Sequence, residues 1–255
     1  MRPTIIKAKF KDNTNSKIGL VALSTDFSIE KDFNSIFLNL PIDLFVNRLP
    51  FYNPLTDKNL VKMTEKLTEV TENILPNQTL DAVAYGCTSG TIAAGVDEIT
   101  NKIQSAKPNC KVTTPITSAV NALKHLNLKK ISVFTPYPQA INEKVINYFK
   151  NEGFDIQSFA SFNLESDLDI GKIDPNYLLE VLTKMDPLYQ YHQSHADQVR
   201  IHNPKLVQQL AAHALRKIPG SQNVLKKIVT GTVQPVSQIH PAPYNNDGKM
   251  QMMLH

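Results

Sequence analysis

The sequence predicts an α/β protein with parallel sheets, arranged as two units and followed by an atypical tail. Short apolar runs of strand length alternate with amphipathic segments of helix length over residues 1–186. Turn residues separate these segments, and the alternation is lost after residue 186. Strands that alternate with helices favour a parallel sheet with helices on its faces. A joint near residues 115–128 divides the alternating part into two such units.

Six segments have the apolar pattern of buried strands. The first is the run KIGLVAL, which is followed by Ser-Thr-Asp. Apolar residues at helical spacing, such as Leu60, Met63 and Leu67, predict the intervening helices. The predicted strands are 17–23, 43–47, 82–86, 112–114, 131–135 and 155–162. The predicted helices are 58–75, one through 92–103, one from about Ser118, one over 141–149 and one over 177–185.

Charge separates the tail from the rest of the chain. Residues 187–255 carry seven of the 27 basic residues, two of the 23 acidic residues and six of the seven histidines. A basic tail can contact nucleic acid, but no recognition motif accompanies it, so we expect no nucleic-acid partner. We therefore predict a first α/β lobe over 1–116, a second lobe over 117–186, and a basic His- and Gln-rich tail over 187–255.

Composition also bounds the class of protein. An apolar fraction of 42% is ordinary for a globular protein. No run of eighteen apolar residues is present and the N-terminus does not resemble a signal peptide, so we expect neither a membrane partner nor secretion. Two cysteines cannot form a disulfide framework, which favours a cytoplasmic protein.

The segment AVAYGCTSG carries the strongest chemical signal. An apolar strand ends before Cys87, and a helix is predicted to begin at about Ser89. A thiol at a helix N-terminus is favoured as thiolate, and the amides and hydroxyls of Thr88, Ser89 and Gly90 can bind a carboxylate. The structural alternative is a buried, inert cysteine. The other cysteine, Cys110, has no activating neighbour in sequence, and no spacing of ligands predicts a metal site.

Two further loops follow predicted strands. Ser24, Thr25 and Asp26 come after the first strand and are either a second set of donors facing Cys87 or a helix cap. Tyr137 follows the fifth strand and could donate its phenolic hydrogen to a substrate carboxylate. Open parallel sheets bind ligands at the carboxyl ends of their strands, so these loops are expected to meet. No nucleotide-binding motif is present.

Several motifs in order resemble one known family. LSTDFSIEKDF, NRLPFYNPLT, AYGCTSGT, TTPITSAV and TPY together resemble the ectoine-utilisation protein A group. That group belongs to the maleate isomerase and arylmalonate decarboxylase branch of the aspartate/glutamate racemase superfamily. The resemblance covers roughly residues 15–186.

The resemblance implies two pseudo-symmetric Rossmann-like lobes with the active site between them, no metal and no organic cofactor. As partners we expect a small carboxylate substrate and a second copy of this chain in a homo-oligomer. It implies racemisation, isomerisation or decarboxylation next to a carboxylate of a small substrate. Cys87 would be the catalytic thiol. Thr88, Ser89, Tyr137, the Ser24–Asp26 loop and Asp167 would bind substrate, Asp167 falling where maleate isomerases carry an asparagine.

The chain departs from that family after its second lobe. The family carries a second cysteine motif like FISCTSLR after the position of Met185, and no cysteine follows Cys110 here. One gene-level hypothesis is a frameshift near Pro187, since back-translation of residues 188–195 one nucleotide later permits Phe-Ile-Ser-Thr-Thr-Ser-Leu.

Three functions follow from these observations. The first is a cofactor-independent isomerase, racemase or decarboxylase, within ectoine or hydroxyectoine breakdown by resemblance. The second is a non-catalytic carboxylate-binding protein or pseudoenzyme, because the second cysteine motif is missing. The third, a Cys-His hydrolase, needs a histidine near Cys87, and the only histidine outside the tail, His125, lies on the far side of a predicted helix.

Overall fold

The computed structural model describes residues 3–10, 12–185 and 249–253. Within these residues the chain alternates strands and helices as the sequence predicts. The strands are β1 (Ser16–Leu23), β2 (Ile42–Leu49), β3 (Ala82–Tyr85), β4 (Lys111–Thr113), β5 (Lys130–Thr135), β6 (Asp155–Ser161) and β7 (Lys249–Met253). The helices are α1 (Ile29–Phe37), α2 (Asp57–Thr64), α3 (Leu67–Glu72), α4 (Thr88–Ala94), α5 (Val96–Ala106), α6 (Pro115–His125), α7 (Gln139–Asn151), α8 (Asp167–Ile170) and α9 (Pro175–Met185).

Two parallel sheets organise the molecule. The first has the strand order β2-β1-β3-β4 and the second the order β6-β5-β7. Every pair of neighbouring strands is parallel. Helix α6 leads from the first sheet to the second, at the joint that the sequence predicts. The predicted α/β class with parallel sheets is therefore confirmed.

One hydrophobic cluster joins the two sheets. It contains Val21, Val83 and Met63 from the first sheet and its helices, together with Val133 and Phe149 from the second. All five side chains are fully buried. Burying this much apolar surface between the sheets is the main favourable term that holds them together. It also fixes the loops of one sheet relative to those of the other.

Two of the predicted helices are each interrupted. Residues 58–75 form α2 and α3, because the amides of Glu65 and Lys66 bond three residues back and tighten the turn between them. The helix through 92–103 is divided at Gly95, whose φ of +91° is open to glycine but strained for other residues. Apolar spacing continues across both breaks, so the sequence pattern does not reveal them.

Three further differences between the predicted and the observed helices concern where one helix begins and two helices that were not predicted. Helix α6 begins three residues earlier than predicted, since Thr114 caps it and Pro115 occupies its first turn. Helices α1 and α8 were not predicted; α1 has no fully buried residue and α8 has only four residues. The sequence does carry a signal for α1 that the prediction omits, since its apolar residues fall at helical spacing, namely Ile29, Phe33, Ile36 and Phe37.

The proposed division into lobes at 116 and 186 remains a prediction. Most of the tail, residues 186–248 and 254–255, lies outside the described residues, and so do the frameshift hypothesis and the tail histidines. No helix among the described residues is long and apolar enough to cross a bilayer.

Candidate active site

The Cys87 side chain sits at the corner between β3 and α4. Cys87 is the N-cap of α4, with an extended backbone, and its sulfur accepts a hydrogen bond from the Gly90 amide at 3.2 Å. The strand ends at Tyr85 and Gly86, where the Gly86 amide still bonds to the Val21 carbonyl of β1. The corner is therefore anchored to the middle of the first sheet, at the carboxyl ends of its strands, as predicted.

Burial of Cys87 opposes the thiolate that the helix N-terminus is expected to favour. Its side chain is 3% exposed. Burial raises the pKa of Cys87 from 9.0 to about 11, against the opposing effects of the Gly90 amide and the Ser89 hydroxyl. The negative charge of Asp167 raises the pKa further. One helix end lowers a thiol pKa only modestly, and the loss of hydration is larger here.

Hydroxyl groups surround the sulfur. The Ser89 hydroxyl lies 3.7 Å from the Cys87 sulfur. Tyr137, which follows β5 in the second sheet, is buried with its hydroxyl in reach of the Thr88 side chain. Burial, and then the nearby Cys87, raise the pKa of Tyr137. The sulfur is thus buried, but it faces polar groups from both sheets rather than a purely apolar pocket.

The Gly90 amide donates to the Cys87 sulfur, so a substrate carboxylate would compete with the sulfur for it. That this amide helps to bind a carboxylate stays a prediction. The Thr88 and Ser89 side chains are nearly fully buried next to Cys87. Their predicted role in binding a substrate carboxylate stays a prediction.

Asp167 reaches the site from the second sheet. It begins α8, its amide donates to the Asn53 side chain at 3.2 Å, and its carboxylate accepts a hydrogen bond from the Thr25 hydroxyl. Burial raises the pKa of Asp167, the Thr25 hydrogen bond opposes this, and the neighbouring Asp26 adds to it. The segment before α8 is also tied to the segment between β2 and α2, since the Leu55 amide donates to the Glu165 carbonyl at 3.0 Å.

Ser24 and Asp26 have local structural partners. The Ser24 hydroxyl accepts from the Phe51 amide at 3.1 Å. Asp26 accepts from the amides of Ser28 and Ile29, both at 2.8 Å, at the start of α1. Of the three predicted loop residues, the structure brings only Thr25 onto Asp167 by a direct hydrogen bond. Asp26 therefore stabilises the entry to α1 from two residues before its N-cap, Ser28, whose own side chain makes no capping bond.

The sequence did not predict the roles of two residues at the carboxyl ends of the strands of the first sheet, Tyr85 and Arg48. Tyr85 lies two positions before Cys87, and alternate residues of a strand share a face, so the spacing could have indicated it. Arg48 donates to the carbonyls of Leu23 and Asp26, both at 3.0 Å, and pairs with Glu30 at 2.5 Å. It therefore fixes the loop that carries Thr25, and no sequence signal shows this long-range pairing.

Cys110 lies at the opposite edge of the first sheet. It immediately precedes β4, and Asp81 and Lys111 pair where β3 and β4 begin. The length of β3 plus the corner places the two thiols roughly 15–20 Å apart at about 3.3 Å per residue. Within the residues that the structure describes, no group of three or more potential metal ligands occurs.

A family model provides the assignment. The model described as arylmalonate decarboxylase matches residues 58–242, which include Cys87, Tyr137 and Asp167. The chain belongs to the arylmalonate decarboxylase family. The match continues beyond residue 186 into the tail.

Curated relatives of this family member are maleate isomerases. The Pseudomonas putida enzyme is 25% identical over 182 residues, which span 67% of this chain and 72% of the relative. The Alcaligenes faecalis enzyme is 26% identical over 121 residues, or 44% of this chain and 47% of the relative.

Solved structures share the fold. The Nocardia farcinica maleate cis-trans isomerase bound to TRIS has a TM-score of 0.65 at 16% identity, covering 84% of this chain and 99% of that one. A cysteine-to-serine variant of the same enzyme, with a TM-score of 0.60 at 18% identity, covers 69% of this chain and 74% of that one. That variant holds a covalently bound succinylcysteine intermediate.

Proposed function

We propose that this family member is a cofactor-independent enzyme that uses Cys87 to transform a small dicarboxylate at a carbon next to one of its carboxylates. The observation that carries the proposal is the position of the Cys87 sulfur, buried at a strand-to-helix corner among hydroxyls from both sheets. Tyr137 and Thr88 are proposed to donate to the substrate carboxylate and to the enediolate that forms from it. Ser89 and the Thr25–Asp167 pair are proposed to complete the binding site.

The chemistry that we propose requires one thiol only. A racemase that relays a proton between two thiols needs a second cysteine beside Cys87, and Cys110 lies at the far edge of the sheet. Two reactions of the family's relatives can be written with a single thiol. They differ in whether Cys87 acts first as an acid or first as a nucleophile.

In a decarboxylation, Cys87 acts as a general acid. The carbon–carboxylate bond of a malonate breaks, carbon dioxide leaves, and the electron pair moves into the remaining carboxylate as an enediolate. The Cys87 thiol then gives its proton to carbon, and the thiolate recovers a proton from solvent. A resting thiol with a pKa of about 11 is already protonated for this step.

In a cis–trans isomerisation, Cys87 acts as a nucleophile. The resting thiol first releases its proton to solvent. The thiolate then adds to one alkene carbon, and the alkene electron pair shifts onto the neighbouring carbon and its carboxylate. The new single bond rotates, and the thiolate leaves again as the double bond re-forms. The maleate isomerase relatives support this route. So does the succinylcysteine in a Nocardia variant from which one cysteine has been removed.

The ectoine-utilisation branch is a finer proposal. It is supported by the motifs in residues 23–33, 47–56 and 84–91 that the sequence shares with that group. A hydroxyectoine-derived carboxylate would then be the substrate class to include in any assay.

A substrate panel tests the proposal. The full chain is incubated with maleate, with methylmalonate and phenylmalonate, and with a hydroxyectoine-derived carboxylate, and products are followed by NMR. We expect turnover of at least one, a loss of at least about 100-fold in Cys87→Ser, and unchanged turnover in the matched control Cys110→Ser. Intact-protein mass spectrometry with maleate distinguishes the routes, since only the nucleophilic route gives a covalent adduct on Cys87.

The non-catalytic alternative has its own observation in favour, namely the burial of Cys87, which raises the pKa of its thiol. It predicts that a dicarboxylate raises the melting temperature without any product or adduct. Turnover that survives in Cys87→Ser would instead refute the role of the thiol.

A further inference from the structure

The Tyr85 hydroxyl is buried and has no hydrogen-bond partner of ordinary geometry, although it lies close enough to the Cys87 sulfur to lower the pKa of that thiol. Tyr85 is fully inaccessible at the end of β3. Its oxygen makes no hydrogen bond of ordinary geometry, and in the described residues only one other buried side-chain oxygen or nitrogen atom, Ser158 Oγ, shares this condition. Buried polar groups in folded proteins are nearly always paired, because an unpaired one keeps the cost of losing water.

The position of this hydroxyl points to the Cys87 sulfur. A Cβ atom built on Gly90 would lie 2.5 Å from the Tyr85 oxygen and 2.9 Å from the Cys87 sulfur, so the two atoms flank the same bare α-carbon. Burial, and then the neighbouring Cys87, raise the pKa of Tyr85, so the phenol keeps its proton. The absence of a side chain at Gly90 leaves the space between the two groups open.

The partner that the hydroxyl lacks is supplied when Cys87 ionises. A thiol is a weak acceptor, whereas a thiolate is a strong one, and hydrogen bonds to charged groups are about twice as strong as neutral ones. Both routes written for Cys87 pass through a thiolate, either before addition or after proton donation. The Tyr85 hydroxyl, which lacks an acceptor beside the thiol, therefore gains one when the Cys87 thiolate forms during turnover.

We propose that Tyr85 is a positioning residue that waits unpaired beside the Cys87 thiol and donates a hydrogen bond to the sulfur whenever the thiolate forms. The phenol retains its own proton throughout and transfers nothing. It acts through the sulfur and does not contact the substrate. The inference rests on the role proposed for Cys87, but its test does not depend on turnover.

The test is a titration of Cys87 in Tyr85→Phe. The full chain carries Cys110→Ser and ¹³C-labelled cysteine, and the Cys87 Cβ shift is followed with pH while alkylation by iodoacetamide is timed. We expect the midpoint to move to higher pH and alkylation below the midpoint to slow on the order of 10-fold, as for loss of a hydrogen bond to a charged group. The shift titration reports protonation directly, so altered access of the reagent cannot imitate it.

Two comparisons make the result decisive. The matched control is Ser158→Ala, which removes the other unpaired hydroxyl from β6 and should leave the Cys87 titration unchanged. Melting temperature should stay the same or rise in Tyr85→Phe, because an unpaired buried group is removed. An unchanged Cys87 midpoint in Tyr85→Phe overturns the inference even in an active enzyme, whereas a shifted midpoint in a protein without turnover upholds it and refutes the proposed function alone.

Discussion

The buried Cys87 thiol predicts a specific loss of stability at alkaline pH. We compare Cys110→Ser with Cys110→Ser/Cys87→Ser, so that one protein has a single titrating thiol and the other has none. In the unfolded chain the Cys87 thiol ionises near 9, and in the folded protein burial raises its pKa to about 11. Its contribution to stability is therefore complete below pH 9 and is lost as the pH rises through 11.

The size of the effect follows from these two pKa values. One pH unit between the folded and unfolded pKa is worth about 1.4 kcal/mol, so the limiting loss is about 3 kcal/mol. Most of it, about 2 kcal/mol, falls between about pH 8 and about pH 10.5. Lost packing and altered capping in Cys87→Ser do not depend on pH and cancel in the comparison.

Urea denaturation at several pH values measures the effect. The unfolding free energy of the protein with Cys87 should fall relative to the variant by about 2 kcal/mol between about pH 8 and about pH 10.5. A constant difference would show that the thiol ionises at its ordinary pKa. A difference in favour of Cys87 that grows as the pH rises toward about 9 would show a lowered pKa, and would support the thiolate that the helix end alone predicts.

Two further substitutions test the surroundings of the sulfur. Burial raises the pKa of Asp167, so its carboxyl stabilises the folded state below about pH 4 and destabilises it as the pH rises through the folded pKa. Asp167→Asn should therefore have a higher melting temperature than the parent at pH 7, and this gain should vanish in acid. A lower melting temperature of the variant at pH 7 would show that the Thr25 hydrogen bond compensates for the buried charge. Gly90→Ala places a methyl group 2.5 Å from the Tyr85 oxygen and 2.9 Å from the Cys87 sulfur, so it should cost about 1–3 kcal/mol by denaturation. Adding Tyr85→Phe to Gly90→Ala should recover part of that loss, and strict additivity of the two changes would contradict the geometry.

The strands were predictable because their apolar runs are short and each is followed by turn residues. The run ending at Leu23 and the run ending at Tyr85 are buried on both faces, which parallel strands between helices require. Helix interruptions such as Gly95 were not predictable, because apolar residues continue at helical spacing on both sides of them.

The candidate site was only partly predictable. Cys87, Thr88 and Ser89 are neighbours in sequence, so their position at one corner follows from the strand-to-helix pattern. The Thr25–Asp167 hydrogen bond joins residues 142 positions apart, and no local pattern encodes it. The same holds for Arg48, whose partners lie in the loop after β1.

The sequence by itself determined the class of fold and the strand-to-helix corner that carries a thiol. It also determined that Cys87 is the one cysteine at that corner. These features depend on the local spacing and composition of residues, which do not change with the tertiary packing of the chain. Only the tertiary structure decided the state of that thiol, because the pKa depends on which groups exclude water from the sulfur. Packing of the second sheet over the corner buries Cys87, brings Tyr137 and Asp167 beside it, and outweighs the helix end that favours a thiolate.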